Sequence, residues 1–374
     1  MVQILVIDDD PVTQLLLRHT LEQQGYGVAI AQNGAEGIHL AQAHPPALII
    51  CDWMMPIVDG IEVCRRIKSN PILSTSFFIL LTSRGDLEDR IEGLNAGADE
   101  FLGKPIDMNE LKARVRAGLR LYHLNQDLQI QTQRLEAELA EAAAYVRSIL
   151  PAELEGPVMI SSRYIPSRQL GGDCFNYYWI TPESLVIYLL DVSGHGLGAA
   201  LPSISILNWL RSHPVSEIDY QQPHQVLQVL NRMFQMSAQH QKYFTIWYGV
   251  YHHPQRQLVY ASAGHPPALL VSADCQLQSL KTPGLPIGLF EEGVYQSNQC
   301  TIPPHSILYI FSDGIYEIQQ SNGQIWGLEG FKQLLQHTQA SNLMSLDTLL
   351  DGVHHNCGKT TFEDDLSLIQ VNFC

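Results

Sequence analysis

The sequence predicts three segments: a doubly wound α/β domain over residues 1–120, a helical linker over 121–150, and an α+β or sandwich domain over 151–374. Three observations predict them. Apolar runs alternate with amphipathic segments at the start of the chain, Gly and Pro vanish in the middle, and runs of strand patterns with grouped helices fill the rest. A chain of 374 residues is also too long for one ordinary core.

The first segment contains four nearly continuous hydrophobic runs, which are ILVI (4–7), VAIA (28–31), LIIC (48–51) and FFILLT (77–82). Runs of this kind are typical of strands that are buried on both faces of a parallel sheet. A fifth strand is expected before Lys104. Helical patterns lie between the runs, over 12–24, 35–43, 60–69 and 87–96. The segment therefore predicts a five-stranded parallel sheet covered by helices.

The middle segment has an apolar residue at every third or fourth position from Leu121 to Ile149, except at Thr132, with one extra step of four near Leu128. Two interpretations fit this pattern. The helix can pack on its own domain, or it can form a parallel coiled coil with a second chain. The length of the segment, its lack of caps and its end at Pro151 favour the coiled coil and hence a homodimer.

The last segment has strand patterns over 158–165, 174–180, 184–191, 243–251, 257–263, 267–272, 306–312 and 365–373. Helical patterns interrupt them over 196–212, 223–241 and 328–338. Strands that dominate a segment with a few grouped helices predict an α+β or sandwich domain.

Charge and composition limit the partners and the compartment. The chain has 22 Lys and Arg against 38 Asp and Glu, a net charge of −16, which argues against nucleic-acid and anionic-membrane binding. The longest apolar run (184–190) is far below the roughly 20 residues of a membrane-spanning helix, and the N-terminus lacks a signal-peptide pattern. The seven cysteines form no CxxC pattern, which is typical of reduced thiols. A cytoplasmic protein is expected.

A first group of charged residues follows the predicted parallel strands. Asp8 and Asp9 follow strand one, Asp52 follows strand three and Lys104 follows strand five. Side chains at the carboxyl ends of parallel strands converge at one edge of the sheet. Packed carboxylates repel one another unless a divalent cation binds, and Mg²⁺ prefers oxygen ligands. A carboxylate beside Mg²⁺ and a lysine can attack a phosphoryl donor.

The motifs IDDDP, DWMMPIVDG, LTS and Lys104-Pro105 stand in the order and spacing of the receiver domain of two-component response regulators, which residues 1–120 resemble. The resemblance implies a cognate histidine kinase and one Mg²⁺. The implied roles are phosphoacceptor for Asp52, Mg²⁺ ligand for Asp9, outer-shell ligand for Asp8, ligand through its carbonyl for Met54, phosphoryl contacts for Lys104 and Thr82, and aromatic switch for Phe101. Asp10, before Pro11, is predicted to cap a helix rather than to bind the ion.

A second group of acidic residues lies in strand and turn contexts of the last segment. These are Asp173 in GGD, Asp191 in LLDVSGHG, Asp313 in IFSDG, and Asp364 and Asp365 in EDD. Carboxylates without a Cys–His cluster favour Mg²⁺ or Mn²⁺ over zinc. Two such ions can acidify a bridging water and direct it at phosphorus.

Some features of this second group have an alternative interpretation when they are taken alone. GGD also occurs in diguanylate cyclases, but Cys174 follows here and the rest of that pattern is missing. SDG is common in turns. His195 can be a catalyst or a packing residue, and a supporting role is favoured. The four motifs are far more specific together than alone.

With SILP (148–151), YFTIWYG (243–249), AGHPPALL (263–270) and LPIGL (285–289), these motifs resemble the PP2C-like serine phosphatases of the sporulation stage II E type. The resemblance implies an αββα sandwich with two Mg²⁺ or Mn²⁺ ions between its sheets. The implied roles are a bridging ligand for Asp191, a second-ion ligand for the carbonyl of Val192, first-ion ligands for Asp313 and Asp364, contact through the second ion's waters for Asp173, and support for Asp365.

Three positions depart from the family pattern. Asn176 stands where an aspartate is frequent, Ser262 stands where asparagine is usual, and Pro202 lies inside the helix after GHG, where it should kink the helix or mark a new start. No phosphate-binding arginine is assured, and Arg163 and Arg168 are the candidates.

Together the two resemblances imply a response regulator in which phosphorylation of Asp52 controls a metal-dependent protein serine/threonine phosphatase. The implied substrate is a phosphorylated anti-anti-sigma (STAS) protein. The alternative is a catalytically degenerate domain that acts as a phosphorylation-gated binding scaffold. A DNA-binding regulator is disfavoured, because no helix-turn-helix pattern or basic patch follows the receiver segment.

Overall fold

The computed structural model describes residues 3–83, 87–212, 218–236, 242–320, 323–340, 345–356 and 362–373. The chain divides into two compact units, residues 1–136 and 137–374. No helix in these described ranges is long and apolar enough to cross a membrane.

The first unit is built on a parallel sheet with the strand order β2-β1-β3-β4-β5. Its strands are β1 (Ile4–Ile7), β2 (Val28–Ala31), β3 (Leu48–Asp52), β4 (Phe77–Thr82) and β5 (Glu100–Gly103). Its helices are α1 (Pro11–Glu22), α2 (Gly34–Ala43), α3 (Gly60–Ser69), α4 (Leu87–Asn95) and the start of α5 (Met108–Ile149). The predicted doubly wound α/β fold is confirmed.

Both faces of this sheet are buried because the side chains of a strand alternate in direction. Leu5 and Ile7 pack on one face with residues of α2 and α3, whereas Ile4 and Val6 pack on the other with residues of α1 and α5. The predicted N-cap is also confirmed, since the carboxylate of Asp10 accepts hydrogen bonds from the first backbone N–H groups of α1.

The helix α5 is continuous over 42 residues, from the first unit into the second. Leu111, Val115 and Leu119 belong to the core of the first unit. Side chains of the predicted seam are then exposed as far as Leu135 in the isolated chain, including Leu124 and Leu128. The later seam packs within the second unit, which fits the alternative interpretation of a helix that covers its own domain, whereas the favoured coiled coil stays a prediction.

That later contact involves the end of α5 and the helix α6 (Leu197–Ser212). Ala143 and Val146 form a small buried cluster with Leu170 and Ala200. At the last turn of α5, Nη2 of Arg211 donates a hydrogen bond of 2.6 Å to the carbonyl of Ile149. The C-terminal turns of α5 are therefore part of the second unit's packing.

The second unit contains two antiparallel five-stranded sheets. The first has the order β13-β10-β9-β8-β7, with β7 (Asp173–Thr181), β8 (Ser184–Val192), β9 (Phe244–His252), β10 (Gln257–Ala263) and β13 (Asn298–Thr301). The second has the order β12-β11-β14-β15-β6, with β6 (Val158–Ile165), β11 (Ala268–Val271), β12 (Leu277–Leu280), β14 (Ile307–Phe311) and β15 (Leu366–Phe373).

Three layers of apolar packing hold the two sheets and their helices together. Residues of both sheets, among them Phe175, Trp247, Ile310 and Ile369, form the core between the sheets. The helices α6 (Leu197–Ser212) and α7 (Pro223–Met233) cover the outer face of the first sheet. The helices α8 (Gly327–Ala340) and α9 (Leu346–Asn356) cover the second. The expected αββα sandwich is confirmed.

Some details of the second unit differ from the sequence prediction. β12, β13 and α9 were not predicted, and the helix expected over 223–241 ends at Met233, while residues 237–241 lie outside the described ranges. The helix α6 runs through Pro202 to Ser212, so the proline does not mark a new start. Cys51, Cys64, Cys174, Cys275 and Cys300 are free thiols, and Cys357 and Cys374 lie outside the described residues.

Replacing Gly118 with alanine tests the packing of α5 on the sheet. Alanine normally stabilises a helix interior by about 1 kcal/mol relative to glycine. A Cβ atom at Gly118, however, would overlap the ring of Phe77, and such overpacking costs about 1–3 kcal/mol. We expect thermal unfolding of the Gly118→Ala chain to begin at a lower temperature. Gly198→Ala in α6, whose Cβ would have no described atom within 4 Å, should not destabilise the chain. Equal effects of the two substitutions would contradict this packing.

Candidate functional site

Three charged side chains meet where strands of the parallel sheet end. Asp8 directly follows β1, Asp52 is the last residue of β3 and Lys104 follows β5. Nζ of Lys104 lies 2.8 Å from Oδ1 of Asp52 and 3.1 Å from Oδ2 of Asp8. Asp8 is fully buried and Asp52 is 7% exposed. The structure therefore brings together residues that are distant in sequence, as expected from the edge of a parallel sheet.

The carboxylates of Asp8, Asp9 and Asp52, here called the receiver cluster, fit a small divalent cation. Each offers one oxygen, and these three oxygens lie within 4.8 Å of one another. Oδ1 of Asp8 also accepts a hydrogen bond of 2.9 Å from the backbone N–H of Asp10, which fixes its orientation. Asp9 is exposed, so an ion can reach the cluster from solvent. Hard oxygen ligands of this kind suit Mg²⁺.

Burial and charge oppose each other in this cluster. Burial raises the pKa of Asp52, Lys104 lowers it and Asp8 raises it, and the net shift is upward. For Lys104, burial alone would lower the pKa, but the hydrogen bond to Asp52 and the charges of Asp52 and Asp8 raise it overall. The lysine is thus held in its ammonium form beside carboxylates that one positive charge does not neutralise.

Thr82 and Phe101, the other predicted receiver residues, are both buried near Lys104. Thr82 ends β4, and its carbonyl accepts a hydrogen bond of 2.8 Å from the backbone N–H of Lys104. The Phe101 ring points toward α4, where a Cβ at Gly93 would lie 2.6 Å from Cε1 of the ring. Met54 lies two residues after Asp52, with an exposed side chain. The inward position of Phe101 therefore depends on a glycine in α4.

The second set of acidic residues, here called the sandwich cluster, comprises Asp173, Asp191, Asp313 and Asp364. Asp173 opens β7 and pairs directly with Asp191 of β8 in the ladder. From the second sheet, Asp313 follows β14 at the start of a short 3₁₀ turn (Asp313–Ile315), and Asp364 lies just before β15. Both sheets therefore contribute carboxylates to the same end of the sandwich.

The carboxyl groups of Asp173, Asp191 and Asp313 have raised pKa values because they are buried close to other acidic groups. Burial raises the pKa of Asp191 to about 8, with further contributions from the charges of Asp313, Asp364 and Asp365. Burial and the charge of Asp364 raise the pKa of Asp313 to about 6. The pKa of Asp173 is raised well above its usual range by burial and by Asp191. A divalent cation would relieve this mutual repulsion.

Asp173 gives direct support for a cation at this position. Its carboxylate is 1% exposed, and neither oxygen has a hydrogen-bond partner among the residues that the structure describes. The hydroxyls of Ser312 and Ser367 lower its pKa, but burial and the charge of Asp191 outweigh them. A buried carboxylate without donors is costly, so the donor set fits Mg²⁺ or Mn²⁺.

Asp365 has a different environment from its neighbour Asp364, which is exposed. Its carboxylate accepts hydrogen bonds from the backbone N–H of Ser167 at 2.8 Å, the Ser167 hydroxyl at 2.9 Å and the backbone N–H of Gly172 at 2.6 Å. These bonds tie Asp365 to the loop that carries Asp173. The supporting role of Asp365 stays a prediction, and these hydrogen bonds are consistent with it.

The two glycines of GGD lie where any side chain would collide with neighbouring atoms. A Cβ at Gly171 would lie 2.5 Å from Oδ2 of Asp365, and a Cβ at Gly172 would lie 2.5 Å from the carbonyl oxygen of Val192. The glycines therefore make room for Asp365 and for the strand that carries Asp191.

Three other predicted residues do not contact the acidic residues of the sandwich cluster in any described bond. His195 is exposed in the loop between β8 and α6. Arg163 is held in ion pairs by Asp347 at 2.9 Å and Glu153 at 3.2 Å. Arg168 is exposed beside Ser167. Within the described ranges, only the receiver cluster places three carboxylate oxygens within 4.8 Å, so the sandwich cluster is more widely spread.

Two residues near the sandwich cluster were missed by sequence reasoning. Nζ of Lys242 donates a hydrogen bond of 2.7 Å to the carbonyl of Ser193, in the turn after Asp191. Thr245 of β9 pairs directly with Asp191, so that Asp173, Asp191 and Thr245 form one row across three strands. The signal for Thr245 was present in the sequence, as a polar residue inside the apolar run of YFTIWYG.

Comparisons with known proteins identify both halves of the chain. Residues 181–373 match the family described as Stage II sporulation protein E (SpoIIE), and residues 4–116 match the response regulator receiver domain. The chain is 44% identical over 123 residues to the response regulator MprA of Mycobacterium sp. (strain KMS), a match that covers 32% of this chain and 51% of that protein. It therefore spans about half the length of this relative.

A second curated relative and one solved structure extend the comparison. The DNA-binding dual master transcriptional regulator RpaA of Synechocystis sp. is 43% identical over 120 residues, which are 32% of this chain and 50% of that protein. The SiaA-PP2C domain of Pseudomonas aeruginosa superposes with a TM-score of 0.58 at 20% identity and covers 65% of this chain and 99% of that one. The latter likeness shows the sandwich fold.

The raised carboxyl pKa values predict how the stability of the metal-free protein depends on pH. Because the folded state holds protons that unfolded carboxyl groups release above about pH 4, stability is lost as the pH rises through the folded values near 6 and 8. In EDTA, we expect the melting temperature to fall by more than about 3 °C between pH 5.5 and 8.5. The measurement is thermal unfolding followed by circular dichroism.

Two controls accompany this measurement. Added Mn²⁺ should flatten the dependence, because a bound cation keeps the carboxylates ionised. Asp191→Asn should also make the slope shallower, since it removes the carboxyl group whose pKa lies near 8. An unchanged slope in both controls would show that other groups cause the pH dependence.

Proposed function

Because the chain belongs to the stage II sporulation protein E family and carries a response regulator receiver domain, we propose that phosphorylation of Asp52 controls a metal-dependent protein serine/threonine phosphatase. One observation carries this proposal. The chain holds two carboxylate clusters of different construction, one salt-bridged to a lysine and one assembled from the two sheets of a sandwich. The first is suited to accepting a phosphoryl group and the second to removing one.

In the receiver, the carboxylate of Asp52 is the nucleophile toward a phosphoryl donor such as a histidine kinase. Lys104, already 2.8 Å from Asp52, stays beside the incoming phosphoryl group, and Thr82 donates its hydroxyl to a phosphoryl oxygen. Asp9, Asp52 and the carbonyl of Met54 would bind Mg²⁺, with Asp8 as an outer-shell ligand, and the ion would supply positive charge near the transferred group. Phe101, packed against α4, transmits the rearrangement to the surface.

In the sandwich, the carboxylates of both sheets would hold two divalent ions. The proposed ligands are Asp313 and Asp364 for the first ion, Asp191 for both, and the carbonyl of Val192 for the second, with Asp173 acting through its waters. Two Mg²⁺ or Mn²⁺ ions would lower the pKa of a shared water and direct it at the phosphorus of phosphoserine or phosphothreonine. Asp365 holds the GGD loop in place, and His195 has a supporting role at the loop after β8.

The proposed domain boundaries and partners follow from the same reasoning. Residues 1–120 form the receiver, 121–150 the linker and 151–374 the phosphatase. Exposed Leu121, Leu124 and Leu128 on α5 support a homodimer through a coiled coil. The proposed substrate is a phosphorylated protein of the STAS anti-anti-sigma type, and the proposed compartment is the cytoplasm.

Removing one carboxylate of the sandwich cluster tests the phosphatase assignment. Asp313→Asn should lower the rate of Mn²⁺-dependent p-nitrophenyl phosphate hydrolysis at least about 100-fold, because a ligand to the ions is lost. The control is Glu363→Gln, which removes an exposed charge one position before Asp364 and should leave the rate within about twofold. If the unaltered chain hydrolyses neither this compound nor a phosphoprotein, the domain is a binding scaffold.

The control of the phosphatase by the receiver is tested with beryllofluoride, which mimics the phosphorylated aspartate. We expect it to change the hydrolysis rate by roughly fivefold or more, the usual range for coupling between two sites. The Asp52→Asn chain should show no response, and this variant also reveals any direct effect of beryllofluoride on the sandwich cluster. Identical responses in the two chains would mean that the receiver does not control the phosphatase.

A further inference from the structure

We propose that Thr245 is a positioning residue of the phosphatase site, whose hydroxyl donates a hydrogen bond to the carboxylate of Asp191 and sets its orientation toward the divalent ions. The inference rests on the proposed function for the identity of the site. It concerns a side chain that no carboxylate motif of the sequence includes. Register, side-chain direction and the hydroxyl's own surroundings support it.

Strand register places Thr245 next to Asp191. The pairing of β8 with β9 matches Asp191 directly with Thr245, and the pairing of β7 with β8 matches Asp173 with Asp191. Residues directly opposite each other in an antiparallel pair have Cβ atoms about 4.5–5.5 Å apart and share one face of the sheet. Thr245 therefore extends the row of two carboxylates to a third strand.

The shared face is the one that looks into the space between the sheets. Trp247, two residues after Thr245, belongs to the core between the sheets, as do Phe175 on β7 and Leu189 on β8. Phe244 and Ile246, which flank Thr245, belong to the core under the helices α6 and α7 instead. Since side chains alternate along a strand, Thr245 points toward the side where the carboxylates converge.

The surroundings of the hydroxyl give a third argument. Oγ1 of Thr245 is buried from solvent and makes no hydrogen bond with any residue that the structure describes. Leaving a buried hydroxyl unpaired is destabilising, and valine would fit the same strand position without that cost. The presence of threonine at this position is explained if its hydroxyl forms a hydrogen bond when the ions are bound. The carboxylate of Asp191 lies opposite it and would be the acceptor.

The proposed contact would limit the freedom of Asp191. A β-branched side chain in a strand has few accessible rotamers, so its hydroxyl is a stiff donor. A hydrogen bond from such a donor selects one orientation of the carboxylate plane. Partners of this kind that orient metal ligands typically change metal affinity 10–100-fold when they are removed. Thr245 would thus act on ion binding through Asp191.

Two substitutions at Thr245 separate the hydroxyl from the packing. Thr245→Val keeps the shape and removes the donor, whereas Thr245→Ser keeps the donor. Both are made in a full chain that carries Asp9→Asn, so that the receiver cluster contributes little to ion binding. Mn²⁺ affinity of the metal-stripped protein is measured by isothermal titration calorimetry, and circular dichroism verifies folding. We expect the valine variant to bind Mn²⁺ about 10–100-fold more weakly and the serine variant to stay within about threefold.

The matched control is Tyr188→Phe. Tyr188 lies on β8, and its hydroxyl is also buried without a hydrogen-bond partner among the described residues, but it belongs to the opposite, helix-facing core. This variant should bind Mn²⁺ normally. Normal Mn²⁺ binding by Thr245→Val, or equally weakened binding by the valine and serine variants, would overturn the proposal.

The affinity measurement is independent of turnover. If the Thr245→Val chain binds Mn²⁺ weakly and the serine chain normally, the role of Thr245 stands even where the unaltered chain hydrolyses no phosphoprotein. The absence of hydrolysis by the unaltered chain would refute only the proposed phosphatase activity. Normal hydrolysis by the unaltered chain with normal Mn²⁺ affinity in Thr245→Val would refute the role of Thr245 alone.

Discussion

Repulsion between buried carboxylates is the constraint on which both sites depend. The polypeptide concentrates negative charge twice, at the ends of strands where the backbone fixes each side chain. In the receiver cluster, one ammonium group, Lys104, offsets part of that charge, and the rest favours a divalent cation. In the sandwich cluster, burial and neighbouring acids raise the pKa of Asp191 to about 8 and that of Asp313 to about 6. The two clusters therefore differ in the positive charge that each must obtain from solution.

The parallel sheet and the sandwich bring carboxylates together by different geometry. In the parallel sheet, Asp8, Asp52 and Lys104 converge because every strand ends at the same edge. In the sandwich, Asp173 and Asp191 meet across one antiparallel pair, and the second sheet supplies Asp313 and Asp364. Close backbone approaches make this possible, since a side chain at Gly171 or Gly172 would collide with Asp365 or with the carbonyl of Val192.

Most of the fold could be predicted because its elements carry strong apolar patterns. The run LIIC predicted β3, and the helix pattern over 60–69 matches α3. The strands β12 (LQSL) and β13 (NQCT) were missed because edge strands with polar side chains lack that signal.

The carboxylates of both clusters could be predicted from motif context. The roles of Gly171, Gly172 and Thr245 could not, since they depend on contacts between segments that only strand register and loop packing reveal. The packing partner of the linker helix could not be predicted either, because its apolar pattern fits packing on its own domain as well as pairing with a second chain.

The central claim is that one chain contains two independent cation sites for opposite directions of phosphoryl transfer. Counting bound Mn²⁺ ions in the metal-stripped full chain tests it most directly. The account predicts about three ions per chain, of which the double variant Asp8→Asn, Asp9→Asn loses one and Asp191→Asn loses two. Each variant should leave the affinity of the other cluster unchanged. Loss of all bound Mn²⁺ in either variant would contradict the account, because it would mean that the two clusters form a single site.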